Sequence, residues 1–121
     1  MVLFRQRITG PMARKNSYLT RRHIYMYYDM DTEKVNSKKY YSIGYNSKLN
    51  KYILADVITW IVWYERYFEI TEEEYNMFGT EKLDDLAESL HRVGTGSQRF
   101  LFSVKNEENT PEQLIMRDKA K

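Results

Sequence analysis

The stretch from Tyr52 to Ile70 decides what this chain can fold into. Ile53, Val57, Trp60, Ile61, Tyr64 and Phe68 fall on one face at a 3.6-residue period, so periodicity alone admits a helix. Against a helix stand Val57, Ile58, Thr59, Ile61 and Val62, together with Trp60, Trp63, Tyr64, Tyr67 and Phe68. β-Branched and aromatic side chains lose rotamer freedom against the preceding turn of a helix and pack well on a pleated surface. Two strands with a bend near Thr59 are therefore the favoured reading. Thr71-Glu72-Glu73-Glu74 then has the form of a capping box, in which the Thr71 hydroxyl and the Glu74 carboxylate satisfy backbone donors that a helix start leaves unpaired. A helix is predicted to begin at Glu72, with three glutamates at the positive end of its dipole.

On either side of this junction the pattern continues as α+β. His23–Tyr28 and Lys39–Tyr45 read as two antiparallel strands, with turn chemistry at Asp29-Met30-Asp31-Thr32 and Asn36-Ser37 between them. Asn46-Ser47-Lys48-Leu49-Asn50 supplies the next turn. Val2-Leu3-Phe4 can add an edge strand, but Gly10-Pro11 and Lys15-Asn16-Ser17 make residues 1–20 read as an irregular basic segment. Gly79 stops the first helix and Thr80 caps a second, whose Leu83, Leu86, Ala87, Leu90 and Val93 form one apolar stripe. Lys82, Asp84, Asp85, Glu88 and Ser89 are expected to face outward. Arg99–Val104 reads as a last strand with Phe100, Phe102 and Val104 on one face. Thr110-Pro111-Glu112-Gln113 opens a short C-terminal helix ending near Arg117, and residues 118–121 are expected to fray. The expected architecture is an antiparallel sheet of four or five strands packed against one main helix, in a single domain over residues 21–117.

Composition narrows the function classes. With 121 residues, 42% of them hydrophobic, the chain can bury one real core. The absence of cysteine excludes a disulfide framework, thiolate zinc ligation and a cysteine nucleophile, and fits a reducing compartment, with the cytoplasm as the default. The longest apolar run, Tyr52 to Tyr64, is broken by Asp56 and Thr59 and is shorter than the roughly 20 residues of a membrane-spanning helix, so no membrane partner is expected. The acid-free, basic residues 1–28 suit an organellar transit peptide, but Gly10-Pro11 breaks the amphipathic helix such a peptide needs. Charge is lopsided: residues 1–39 carry nine Lys/Arg against three acids, a balance of +6, and residues 65–90 carry nine acids against two bases, a balance of −7. Such polarity steers partners electrostatically.

Catalytic, cofactor and metal signatures are not found in the sequence. His23 and His91 have no metal-binding spacing and read as surface or satisfied structural histidines. Asp29-Met30-Asp31-Thr32-Glu33 imitates the start of a calcium loop, but Lys34 and Tyr40 occupy the positions that need glycine and glutamate. Gly94-Thr95-Gly96-Ser97 leads into a strand, not into the helix N-terminus that would bind phosphate. Eleven tyrosines beside Arg21, Arg22, Lys38 and Lys39 offer a stacking platform for nucleic acid, set against tyrosine simply covering a small sheet. Salt dependence separates these, because phosphate contacts weaken steeply as salt rises. A small enzyme whose site assembles only in three dimensions stands as the other alternative.

Tyr40-Tyr41-Ser42-Ile43-Gly44-Tyr45, Asn50-Lys51-Tyr52-Ile53-Leu54 and the run Trp60-Ile61-Val62-Trp63-Tyr64-Glu65-Arg66-Tyr67-Phe68-Glu69-Ile70-Thr71-Glu72-Glu73-Glu74-Tyr75 carry a resemblance. An aromatic meander running into this helix start resembles small bacterial immunity proteins that accompany polymorphic toxins, including those of contact-dependent growth-inhibition systems. The resemblance covers about residues 39–78. It implies a cytosolic, non-catalytic protein that binds a cognate toxin domain and blocks its active site or substrate groove. Such families share no functional residues to carry over. Many of the toxins are basic nucleases, and the acidic segment suits such a partner, with Glu72, Glu73, Asp84, Asp85 and Glu88 as candidate contacts. The basic N-terminal third suits a nuclease partner less well and leaves open a toxin of another activity.

Overall fold

Two turns with the same opening sequence set the register of the sheet. In Asn36-Ser37-Lys38-Lys39-Tyr40 the Asn36 Oδ1 accepts from the Lys39 N–H at 3.1 Å, and in Asn46-Ser47-Lys48-Leu49-Asn50 the Asn46 Oδ1 accepts from the Leu49 N–H at 2.8 Å. Each turn ends on a residue in the left-handed region, Tyr40 at φ 57° and Asn50 at φ 59°. Asparagine is suited to this work because its side chain mimics a backbone turn.

A computed structural model describes residues 2–5, 28 and 30–121. Strands β2 (Asp31–Asn36), β3 (Tyr41–Asn46), β4 (Lys51–Ile58), β5 (Tyr64–Ile70) and β6 (Phe100–Ser103) form an antiparallel meander, and β1 (Val2–Arg5) pairs with the outer edge of β2. Helix α1 (Glu72–Tyr75) follows β5, α2 (Glu81–Val93) is the main helix, and α3 (Pro111–Lys119) closes the chain. The class is α+β: an antiparallel sheet with one main helix and a short C-terminal helix. The stretch from Tyr52 to Ile70 resolves into β4 and β5 around a loop at residues 59–63, as its β-branched and aromatic density implies.

Both faces of the sheet are covered, which is why the central strands are buried almost continuously rather than alternately. One face carries Tyr41, Ile43, Leu54 and Phe68 against Leu83, Ala87 and Leu90 of α2. The other carries Ile53, Ala55 and Tyr67 with Phe102, Tyr28, Met30 and Ala120. Each fully buried aliphatic or aromatic side chain here contributes about 1.5–3 kcal/mol of hydrophobic stabilisation. All three predicted helix starts are capped: Thr71 and Glu74 form the complete capping box of α1, the Thr80 hydroxyl accepts from the Leu83 N–H of α2, and Thr110 and Gln113 form the capping box of α3.

Several expectations are corrected. Asp31–Asn36 is a strand rather than turn material; Thr32, at φ 49°, sits in a register shift between Asp31 and Lys34, so the residues that read as a turn form a bulge. The expected strand at residues 23–28 lies outside the described residues except for Tyr28, which is buried and outside any strand. Phe100 and Phe102 lie on opposite faces, because a register shift opposite Tyr67 and Phe68 breaks the alternation of β6. Val93 is 53% exposed, since α2 ends there and Gly94, at φ 68°, turns the chain toward Arg66. Residues 118–120 do not fray: Ala120 is fully buried and its carbonyl accepts from Asn46 Nδ2 at 2.9 Å.

Candidate functional site

A row of polar residues crosses the sheet beneath α2. Strand register places Asn36, Tyr41, Asp56, Arg66 and Ser103 side by side on five successive strands. α2 runs across the strands along this row. The Tyr41 hydroxyl donates to Asp84 Oδ1 at 2.6 Å and Asn36 Nδ2 donates to the same oxygen at 3.2 Å. About two turns further along the helix, His91 Nδ1 meets Asp56 Oδ2 at 2.8 Å. Arg66 makes a two-pronged pair with Glu108, at 2.9 Å and 2.7 Å, and Tyr64 also donates to Glu108 at 2.7 Å.

Electrostatics follow from this packing. Burial pushes the Asp56 carboxyl up to about 6 even though the His91 contact and the Arg66 charge pull it down. Burial, then the bond to the Asp84 carboxylate, raises the Tyr41 hydroxyl. Burial also works against the charge of Glu108, but Arg66 and Tyr64 outweigh it and hold the carboxyl down at about 2. The contact pairs the His91 Nδ1 with the Asp56 carboxyl through one shared proton and leaves Nε2 as the ring nitrogen outside the pair. His91 is mostly exposed, so that nitrogen is open to solvent or a ligand.

Above the row opens a cleft of about 320 Å³. Lys38, Lys39 and Tyr40 of the β2–β3 turn form one wall, Asp56 and Thr59 the floor, and Asp84, Asp85, Glu88 and His91 of α2 the other wall. Among the described residues, no group of three or more His, Asp or Glu is placed to hold a metal ion.

Next to the cleft lies the β4–β5 loop, whose Trp60, Ile61 and Val62 are 53%, 85% and 51% exposed. The loop is braced on both sides. Lys105 Nζ sits 3.7 Å from the centre of the Trp60 ring, Trp60 meets Tyr64 edge to face at 6.4 Å, and Trp63 meets Tyr40 edge to face at 5.8 Å. Tyr40, half exposed in left-handed backbone that bulky residues rarely adopt, joins the loop to the cleft.

The candidate contacts therefore divide. Asp85 and Glu88 are exposed on the cleft wall. Asp84 does not face outward as expected: its short carboxylate, beside Leu83 on the helix, reaches back to Tyr41 and Asn36 and ties α2 to the sheet. Glu72 and Glu73 are exposed on α1, which follows Ile70 at the far end of β5 from the loop. At about 3.3 Å per residue, the six steps from Tyr64 to Ile70 separate these ends by roughly 20 Å. Arg21 and Arg22 lie outside the described residues.

Sequence reasoning gave no role to Asp56, Tyr40 or the 60–62 loop, and read His91 as a surface or satisfied structural histidine without its partner. A signal existed for two of them: Asp56 is the one charge in the run Ile53-Leu54-Ala55-Asp56-Val57-Ile58, and Trp60-Ile61-Val62 puts apolar residues where a hairpin needs only turn chemistry. The tyrosines are packed more than displayed. Tyr41, Tyr64, Tyr67 and Tyr75 are buried, and among the described tyrosines Tyr40 is the exposed one. No helix among the described residues is long and apolar enough to cross a membrane. In comparisons with known proteins, no family model, curated protein or solved structure matches the chain.

Proposed function

We propose that this chain is an immunity protein: it binds a cognate bacterial toxin domain in the cytoplasm and holds it inactive by covering its active site or substrate groove. The observation that carries the reading is the α2 wall of the cleft, where Asp85 and Glu88 stand exposed while Asp84 and His91 anchor the same helix to the sheet. An acidic face on a rigid element suits capture of a basic partner, because fixed charges steer encounter and suppress wrong partners. The burial of Tyr28, Tyr41, Tyr64, Tyr67 and Tyr75, five of the eight described tyrosines, lends no support to the alternative of a stacking platform for nucleic acid.

The test is to read the neighbouring reading frames for a secreted protein with a C-terminal toxin region and to co-express the chain with that region; the absence of such a frame counts against the reading. Reversal of Asp85 and Glu88 to lysine is expected to leave the fold intact, to slow association roughly tenfold at low salt and to weaken protection of the cell. Asp84 is left unchanged because it has structural partners. Association and protection equal to wild type would reduce the acidic wall to a solvated surface.

A specific observation favours a second reading. A buried carboxylate with raised affinity for its proton, paired with an exposed imidazole in a cleft, is the kind of pair that proton-transfer enzymes use. His91→Gln separates the two provided that its unfolding midpoint equals that of wild type, since His91 also ties α2 to Asp56: protection then survives on the binding reading and is lost on the catalytic one.

A further inference from the structure

The geometry points to Tyr40 as a partner-contacting residue, kept at a strained turn position so that its ring stands on the wall of the cleft; this rests on the binding reading above. The two Asn-Ser-Lys turns of the sheet allow an internal comparison. Each begins on a buried asparagine whose Oδ1 accepts from the N–H three residues on, and each ends in left-handed backbone, at φ 57° for Tyr40 and φ 59° for Asn50. Left-handed backbone crowds the Cβ of an L-residue; asparagine tolerates it, whereas a bulky side chain adopts it at a cost in free energy. The β3–β4 turn therefore holds a residue type that this position favours, and the β2–β3 turn holds one that it disfavours.

Packing offsets little of that cost. Tyr40 is 50% exposed, and its ring meets Trp63 only edge to face, at 5.8 Å. The bond that the turn makes to the sheet, from the Val57 N–H to the Tyr40 carbonyl at 2.9 Å, is a backbone bond open to any residue type. Strain held at a side chain that folding does not bury is the mark of a residue kept for function.

Placement says which function. Tyr40 lines the cleft across from Asp56 and His91. At about 320 Å³ the cleft lies at the bottom of the range for small-molecule sites, roughly 300–1,000 Å³, and is of a size to take a protruding side chain or loop tip of a protein. Tyrosine is enriched among the few residues that carry most of the binding energy of an interface, because a rigid ring offers a large contact area at small cost in conformational entropy. The two walls then divide the work. Asp85 and Glu88 act on the approach of the partner, whereas Tyr40 acts on the docked complex and so on its lifetime.

The experiment copies the second turn into the first. Tyr40→Asn is compared with wild type by urea denaturation of the free chain, and by association and dissociation rates with the toxin region read from the neighbouring frame. The expected result is a higher urea midpoint at unchanged m-value, with affinity weakened about tenfold or more through faster dissociation, and an association rate and salt dependence like those of wild type. A midpoint equal to or below that of wild type shows that the contact with Trp63 offsets the strain, and overturns the proposal whatever the binding. A raised midpoint with unchanged dissociation removes Tyr40 from the interface and leaves the immunity reading standing. No binding by wild type overturns both. Titration with a single-stranded oligonucleotide completes the set: binding that Tyr40→Asn abolishes overturns the proposal in favour of a stacking site for nucleic acid.

Discussion

Asp56→Asn is expected to make the protein more stable at neutral pH. Asp56 is 3% exposed, and its carboxyl is pushed from 3.8 to about 6 chiefly by burial. The folded protein therefore holds this proton to a higher pH than the unfolded chain does. Its contribution to stability is fully present below pH 4 and is lost as pH rises through about 6. Two pH units at about 1.36 kcal/mol each put the cost of the ionised group near 3 kcal/mol at pH 7. Asparagine resembles the neutral acid and keeps an oxygen for the His91 N–H, but its amide donors lack a defined partner, which costs about 1 kcal/mol. The net gain at pH 7 is then about 1–3 kcal/mol, or several degrees in melting temperature for a domain of this size. Urea denaturation of both proteins at intervals from pH 4 to pH 8 measures it. The difference between them isolates Asp56 from Glu74 and Glu108, whose carboxyls shift downward. The variant should be about 1 kcal/mol weaker than wild type at pH 4, where only the amide cost remains, and should gain on it by about 3 kcal/mol as pH rises past 6. A difference that stays flat, or a variant weaker than wild type at pH 7, would show that His91 and Arg66 fully compensate the buried charge.

Leu83→Ala should destabilise by about 2–5 kcal/mol, because Leu83 is fully buried under α2; a lowered urea midpoint at unchanged m-value is the expected result, with a smaller loss for the half-buried Leu86. Glu108→Gln should cost about 1–3 kcal/mol at pH 7 by leaving Arg66 short of its partner. Its sign with pH is opposite to that of Asp56: the Glu108 contribution is present above its ordinary value of 4.5 and is lost as pH falls through about 2, so the deficit in melting temperature should shrink below pH 4.5.

What the sequence by itself determined is local. Capping boxes at Thr71 and Thr110, the cap at Thr80 and the β-branched density around Val57 are read within a few residues, because the interactions that satisfy them are made within one turn of helix or one pair of strands. The exposed acids Asp85 and Glu88 were legible in the same way, from their positions off the apolar stripe. Tertiary structure decided the rest. The bulges in β2 and β6 arise where one strand must follow its neighbour, and the bulge in β6 alone sends Phe102 to the face opposite Phe100. The docking of Ala120 on Asn46 and of Asp84 on Tyr41 joins residues far apart in the chain. So does the cleft, since Asp56 and His91 meet only once α2 has crossed the sheet, and Tyr40 and Trp63 meet only when two hairpins lie side by side. A contact's partner is legible in the chain when chain geometry dictates it, and these partners were dictated by how the helix and the turns pack on the sheet.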